Sequence, residues 1–373
     1  MSGEGLRVQD LRLQDLRFMQ LALALGRRGL GNTWPNPAVG AVVVHDGVIV
    51  GRGWTLPGGR PHAETEALRR AGDAARGATL YVTLEPCSHH GKTPPCADAI
   101  LAAGVSRVVS ALEDPNPEVA GEGHRRLRES GIAVEVGLCA AEARHAHAGH
   151  IRRVRDGRPH VTLKLAVSAD GKAGLAGRRP VAITAGLARE RVHRMRAMND
   201  AILIGIGTAL ADDPLLTSRL PGLASPVRVV LDTMLKLPPS SQLVRGARAV
   251  PVWVVATPSA SIEAERALKA EGVTVFRLPG GESGLDLPAV LKTLAQQGIT
   301  RLMVEGGPNV AAAFLRADLV DEAALFRSPN VIGPDGIDAL EGMPLEALIQ
   351  SPHLGPAGLE SIGADSVEFF ERP

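Results

Sequence analysis

Ten residues, CSHHGKTPPC from Cys87 to Cys96, hold two cysteines and two histidines. Such a run either closes a four-ligand zinc knot or supplies part of a metal site completed from elsewhere. A second segment bears on the choice. Pro61-His62-Ala63-Glu64 stands where a helix should begin, 25 residues before Cys87. His62, Cys87 and Cys96 together make one nitrogen and two sulfur ligands, leaving the fourth zinc position open for water, as a hydrolytic site requires. Zinc lowers the pKa of water toward neutrality and makes hydroxide available. Cys96, at a helix start behind Pro94-Pro95, is expected to favour the thiolate that metal binding needs. Glu64 is two residues from His62, so on a helix the two side chains diverge. That suits a proton carrier beside the metal better than a fourth ligand.

Taken singly, each signal is weak. Most HAE triplets on helices are surface residues, and a lone cysteine pair eight residues apart is no motif. Jointly, His-x-Glu followed by Pro-Cys at a strand end and a second cysteine matches the zinc deaminase logic, in which the glutamate is acid and base rather than ligand. The spacing between the cysteines is longer here than in that signature. His89, His90 and Lys92 are read as a substrate-facing loop, since adjacent histidines beside Cys87 would crowd a tetrahedral site. Cys139 is read as a small buried thiol. His145, His147 and His150 do not share one helical face well and are read as part of a solvated linker helix.

The second half carries a quieter signal. LMVEGGPNVAAAFL reads as a strand, a double glycine and a helix with Pro308 in its first turn. Glycines let a backbone approach a phosphate, and an uncapped helix N-terminus offers N–H donors. The bland reading is an ordinary strand-to-helix turn. Gly205-Ile206-Gly207 also follows a strand, but Leu210 stands where a full dinucleotide fingerprint has its third glycine.

These residues need elements to hold them. The first half alternates: helix in LRFMQLALALGRR, two strands around His-Asp-Gly in AVGAVVVHDGVIVGRGW, helix in HAETEALRRAG and strand in ATLYVTLEP. Then come helix in PCADAILAAG, strand in VSRVVSAL, helix in GHRRLRESG and strand in IAVEVG. That rhythm predicts a layered α/β sheet. A linker closing near residue 157 separates it from a second α/β pattern, with strands in HVTLKLAV, DAILIGIG, VRVVLD, VPVWVVAT, VTVFRL and RLMVEGG. The expected domains are residues 1–157 and 158–373. A length of 373 residues with 45% hydrophobic content allows a core in each.

Composition excludes several classes. A net charge of +1 builds no basic field for nucleic acid, and 3% aromatics leave few rings for stacking bases. No uncharged apolar run approaches the roughly 18 residues that span a bilayer. The charged N-terminus is unlike a signal peptide. Three cysteines are too few for a disulfide scaffold. The expectation is a cytoplasmic protein with no nucleic-acid or membrane partner.

At this point the chain resembles the bifunctional riboflavin-biosynthesis deaminase/reductase family. The residues that carry it are PNPAVGAVVV, PHAETEAL, VTLEPCSHHGKTPPC and EDPNPEVAGEG, then KLAVSADGK, DAILIGIGTALADDPLLTSR and VEGGPNVAAAFLRADLVDE. The resemblance implies a cytidine-deaminase-like α/β/α layer followed by a dihydrofolate-reductase-like α/β sheet, with Zn2+ and NADPH as cofactors. It implies deamination of 2,5-diamino-6-(ribosylamino)-pyrimidinone 5′-phosphate, a small phosphorylated pyrimidine, and then reduction of the ribosyl group to ribityl. His62, Cys87 and Cys96 would hold zinc and Glu64 would move protons, with Asn36, Asp114 and Asn116 around the first substrate. NADPH would meet Ala166, Thr208, Asp212 and Thr233, and the run Gly307, Pro308, Asn309, Val310, Ala311, Ala312 and Ala313. Arg196, Leu216, Arg219 and Glu305 match substrate positions, and Lys164 and Asp170 would line the hydride-transfer site. A homo-oligomer, dimer or tetramer, is implied by resemblance only.

This chain departs from the family pattern in places. Pro180-Val181-Ala182 stands where the family often has a tryptophan that packs near the cofactor, and Ala182 bears on cofactor affinity. Trp34 replaces a smaller residue, and His147 and His150 replace an asparagine and a phenylalanine. The rival readings are a nucleoside or tRNA deaminase with an unrelated partner domain, a structural zinc module with a binding domain, and a deaminase with a weakened reductase.

Overall fold

The computed structural model describes residues 3–91, 94–117, 119–175, 177, 181–281 and 284–373, with residues 3–10 as backbone only. Lys92 and Pro180, both singled out above, lie outside the described residues. The chain divides into two compact units, Met1–Gly157 and Arg158–Pro373.

In the first unit the strands are β1 (Gly40–His45), β2 (Val48–Trp54), β3 (Thr79–Val82), β4 (Arg107–Ser110) and β5 (Ala133–Val136). They lie in the order β2-β1-β3-β4-β5. β1 runs antiparallel to β2 and β3, and β3, β4 and β5 are parallel. The β1–β2 turn is Asp46-Gly47, both at positive φ (51° and 76°), which suits the twist of a two-residue hairpin. Alternation along the strands splits the core. Ala41, Val43, Leu80 and Val82 pack against Ala67, Ile100 and Leu127 of the helices Ala63–Ala71, Cys96–Ala103 and Glu122–Glu129. Val42, Val44 and Tyr81 point the other way, against Met19 and Ala22 of the helix Gly3–Gly26. The result is the expected α/β/α layering.

One detail of packing places the chemistry. Gly51 and Gly53 put no side chain between β2 and the helix Ala63–Ala71. A Cβ at Gly51 would stand 2.2 Å from the Ala67 carbonyl, and one at Gly53 2.4 Å from that of Ala63. The helix therefore lies directly on the strand, which fixes its N-terminus and His62.

The solvated-linker expectation fails. Two helices, Ala140–Ala146 and Ala148–Asp156, meet at His147, which is 2% exposed. Its Nε2 lies 3.1 Å from both the carbonyl and the hydroxyl of Thr83, and Ala143 joins the core. The alanine-rich composition read as solvated is what allows close packing on the sheet. Cys139 is half-buried rather than buried, at the left-handed residue before the first of these helices.

The second unit begins with β6 (His160–Val167) and β7 (Lys172–Gly174). The parallel strands β8 (Ala201–Gly205), β9 (Val227–Leu231), β10 (Val252–Ala256) and β11 (Thr274–Arg277) follow. After the short β12 (Gly280–Gly281) and β13 (Gly284–Leu285) come β14 (Arg301–Val304), β15 (Glu322–Arg327), β16 (Ile337–Asp338), β17 (Gly355–Ile362) and β18 (Asp365–Glu371). The main sheet has nine strands in the order β11-β10-β9-β8-β14-β6-β15-β18-β17. It is parallel from β11 to β15 and ends in an antiparallel hairpin. Successive strands grow outward from β8 to β11, and the chain then returns to lay β14 between β8 and β6. That reversal opens a crevice beyond the carboxyl ends of β8, β14 and β6, where open α/β sheets bind ligands.

Candidate active sites

In the first unit, His62 caps the helix Ala63–Ala71 in extended conformation, and Cys96 is the first residue of the facing helix. His62 Nδ1 lies 3.3 Å from Cys96 Sγ and 3.7 Å from Cys87 Sγ, and the three ligand atoms lie within 4.8 Å of one another. Zinc with bonds of about 2.3 Å to sulfur and about 2.0 Å to nitrogen has tetrahedral N···S edges of about 3.6 Å. The three residues fit such an ion and leave a fourth direction open.

The thiol expectation needs a correction. The backbone N–H of Cys96 donates to Cys87 Sγ at 3.2 Å, so the helix N-terminus favours the thiolate of Cys87 rather than that of Cys96. Hydrogen bonding from Cys96, and then from His62, draws the Cys87 thiol down to about 4 against the opposing effect of burial. The bond to Cys87, together with burial, holds the Cys96 thiol well above its ordinary value. Glu64 is 3% exposed, and burial pushes its carboxyl up to about 7, opposed by His62.

The surrounding loops are tied to this centre. Asn36 Nδ2 donates to the Gly59 carbonyl at 2.8 Å, bracing the turn that leads into His62. Glu85, two residues before Cys87 and 6% exposed, accepts backbone N–H groups of Asp114, Gly121, Gly123 and His124 at 2.8–3.3 Å. Asp114 Oδ1 in turn accepts the N–H of Asn116 at 2.9 Å and lies 3.4 Å from His150 Nε2. Burial would raise the Asp114 carboxyl, but the His150 contact holds it below its ordinary value. Glu85, Glu113 and His124 also bring ligand atoms within 4.8 Å of one another. Four accepted N–H groups already fill the Glu85 carboxylate, so this trio organises a loop rather than binding an ion. His89 and His90 are exposed and outside the His62 cluster.

In the second unit two cavities, of about 600 and about 640 Å³, share Gly207, Thr208 and Gly307. The first is lined by Lys164, Ala166, Arg196, Asp212, Arg219 and Glu305. Arg196 holds the Glu305 carboxylate with Nε and Nη2, both at 3.0 Å, and Lys164 Nζ lies 3.4 Å away on the other side. Burial opposes the Glu305 charge, but the two cations hold the carboxyl below its ordinary range. The guanidinium fork expected to grip phosphate is thus taken up by Glu305, while Arg189 and Arg219 also line the cavity. Ala182 lines the same cavity.

The second cavity is lined by Thr233 and by Asn309, Val310 and Ala313 of the helix Pro308–Arg316. That helix has no side-chain cap, and Gly307 N donates to Thr208 Oγ1 at 3.0 Å. A Cβ at Gly306 would stand 2.6 Å from that of Val310, so the glycine is needed for the helix to lie this close. Free N–H donors beside a glycine cradle fit a dinucleotide phosphate.

Four expected contacts are not met. Ala311 and Ala312 are fully buried, because successive helical residues rotate by about 100° and only one face of the run reaches the cavity. Leu216 is 3% exposed, with its side chain in the core cluster beneath the sheet. Asp170 lies outside both cavities, its carboxylate held by Ser168 Oγ and the N–H groups of Ile332 and Gly333. Sequence reasoning also missed His193, one turn before Arg196 and in the first cavity. Its signal was the i, i+3 spacing in HRMR.

Comparison with known proteins covers both units. Residues 12–112 match the cytidine and deoxycytidylate deaminase zinc-binding region, and residues 159–367 match the RibD C-terminal domain. The chain is 41% identical to riboflavin biosynthesis protein RibD of Escherichia coli, over 93% of this chain and 96% of that one. It is 41% identical to its namesake in Aquifex aeolicus, over 95% and 98%. Among solved structures, Acinetobacter baumannii RibD superposes with a TM-score of 0.87 at 35% identity, covering 97% of this chain and 99% of that one. A Thermotoga maritima diaminohydroxyphosphoribosylaminopyrimidine deaminase/5-amino-6-(5-phosphoribosylamino)uracil reductase gives 0.84 at 34%, with the same coverage. The match across both halves overturns the rival of a deaminase joined to an unrelated partner domain.

Proposed function

This chain belongs to the RibD family of bifunctional riboflavin-biosynthesis deaminase/reductases, and from that premise we propose how its residues divide the two reactions. It is a hydrolase and an oxidoreductase, with zinc and NADPH as cofactors. Residues 1–157 carry the deaminase and 158–373 the reductase.

In the deaminase, His62, Cys87 and Cys96 hold the zinc. Zinc bound there supplies the nucleophile by lowering the pKa of water toward neutrality. Glu64, buried beside the ligands, would take one proton from the attacking water and deliver it to the ring nitrogen, then take the second proton from the new hydroxyl group and pass it to the departing amine. Asn36 and the Asp114–Asn116 loop orient the diaminopyrimidine. The single observation that carries this half is the three-ligand cluster with a buried carboxyl two residues from its histidine.

In the reductase, the nicotinamide cofactor supplies the hydride. The N-terminus of the helix Pro308–Arg316, with Thr208 and Thr233, holds its phosphates and ribose. Lys164 and Glu305 flank the reacting sugar carbon, Arg196 keeps Glu305 ionised and oriented, and Arg219 meets the substrate phosphate. We place the enzyme in the cytoplasm as a homo-oligomer. No described helix is long and apolar enough to cross a membrane, and oligomerisation has family resemblance alone behind it.

The deciding assay follows NADPH oxidation with the deaminated phosphoribosylaminouracil and with its diamino precursor. Oxidation should occur with the first, and with the second only after ammonia release. The small side chain of Ala182 in that cavity favours one second reading, a deaminase with a weakened reductase. Ammonia release without any NADPH oxidation would establish it.

A further inference from the structure

His193 has no part in the reading above, yet it faces the reductase cavity. It sits on the helix Gly186–Ala197 one turn before Arg196, so both side chains leave the same face. The Thr217 carbonyl accepts from both, from His193 Nδ1 at 3.2 Å and from Arg196 Nη1 at 3.3 Å. A carbonyl only accepts, so Nδ1 carries the hydrogen and Nε2 is left with its lone pair. Burial, and then the Arg196 charge, hold the imidazole below its ordinary pKa, which favours the neutral ring. Nε2 has no protein partner among the described residues.

The surroundings say what Nε2 can recognise. The cations Lys164, Arg189, Arg196 and Arg219 can only donate hydrogen bonds, and the Glu305 carboxylate is held between Lys164 and Arg196. An ionised phosphate carries no hydrogen for an imidazole lone pair to accept, whereas a sugar hydroxyl does. We propose that His193 Nε2 accepts a hydrogen bond from a hydroxyl of the substrate's ribosyl group, lying between the phosphate and the carbon that takes the hydride. His193 is then a specificity-determining residue. It orients the sugar, and a site built for that hydroxyl rejects a sugar lacking it.

The inference rests on the reductase reading, and the test keeps the two apart. Full-length wild type, His193→Ala and His193→Gln are compared for kcat/KM in NADPH oxidation. The substrates are the deaminated phosphoribosylaminouracil and its 2′-deoxy and 3′-deoxy forms. The wild type should disfavour one deoxy form by about tenfold or more. His193→Ala should lose about tenfold on the intact substrate, mostly through KM, and little on that deoxy form. His193→Gln, which keeps an acceptor, should recover part of the loss, and NADPH affinity should match wild type in all three proteins. Equal losses on all three substrates, or no loss on the intact one, overturn the proposal. No oxidation by wild type overturns the reductase reading, and this inference with it.

Discussion

At the scale of the residue, the two sites depend on carboxyl groups held in opposite states. Burial keeps Glu64 near the point where it can both hold and yield a proton, whereas Lys164 and Arg196 keep Glu305 ionised. Glu64→Gln keeps the volume but not the titrating group. We expect ammonia release to fall by about 10²–10⁴-fold, with about one zinc per chain retained and the reductase untouched. Zinc loss with surviving deamination, read by metal analysis and ammonia assay, would reverse the assigned role. Arg196→Ala leaves Glu305 with Lys164 as its one cation. It should cost about 3 kcal/mol of stability, reduced by partial exposure, and lower reductase kcat/KM without changing deamination. Thermal melts and the two separate assays test this.

At the scale of the element, loops and helices matter by what they hold. Glu85 converts a bend after β3 into a clamp on Asp114, Gly121, Gly123 and His124 through their backbone N–H groups. Glu85→Gln turns one acceptor oxygen into a donor facing N–H groups, at a cost of about 1–3 kcal/mol. Deamination should weaken through KM while zinc content stays constant, and a simultaneous loss of zinc would show that Glu85 serves the metal loop instead. In the second unit, Gly306→Ala places a methyl group against Val310. The helix Pro308–Arg316 must then shift, at about 1–3 kcal/mol, and NADPH titration should show weaker binding with ammonia release unchanged. The secondary structure that supports these sites was mostly legible in period and turn residues. The strands in HVTLKLAV and DAILIGIG and the strand-to-helix turn in LMVEGGPNVAAAFL all form. The helix Ile206–Asp212 and the hairpin β17–β18 were not read. The first is a seven-residue helix that starts inside a GIG resembling a loop, and β17 is an exposed edge strand whose apolar period is weak.

At the scale of the molecule, two units with separate cores carry two chemistries. A zinc chelator should abolish ammonia release and lower the unfolding temperature of the first unit, leaving NADPH oxidation with the deaminated substrate intact. Joint loss of both activities would refute their independence. The second unit also carries an acid-sensitive tie between Arg158 and Asp321, with bonds of 2.6 and 2.8 Å. Burial opposes the Asp321 charge, but the Arg158 bonds hold its carboxyl below the ordinary value. A depressed carboxyl contributes stability above its unfolded pKa of about 4, and that contribution is lost as pH falls below it. Melts of Asp321→Asn and wild type should converge in acid and diverge above about pH 4.

The chain's own order determined the metal chemistry. Ligand types, a glutamate two residues from the histidine and a second cysteine at a helix start are local features, and they name zinc hydrolysis before any folding. Helical and strand periods likewise determined the two α/β halves. Tertiary structure decided which partner each group meets. The N–H of Cys96 falls on the sulfur of Cys87, the fork of Arg196 closes on Glu305, and Asp170, Leu216, Ala311 and Ala312 turn away from the reductase cavities. It also drew His147 into the core and brought His193 to the cleft. These outcomes depend on contacts between residues far apart in the chain and on helical rotation, neither of which a motif records.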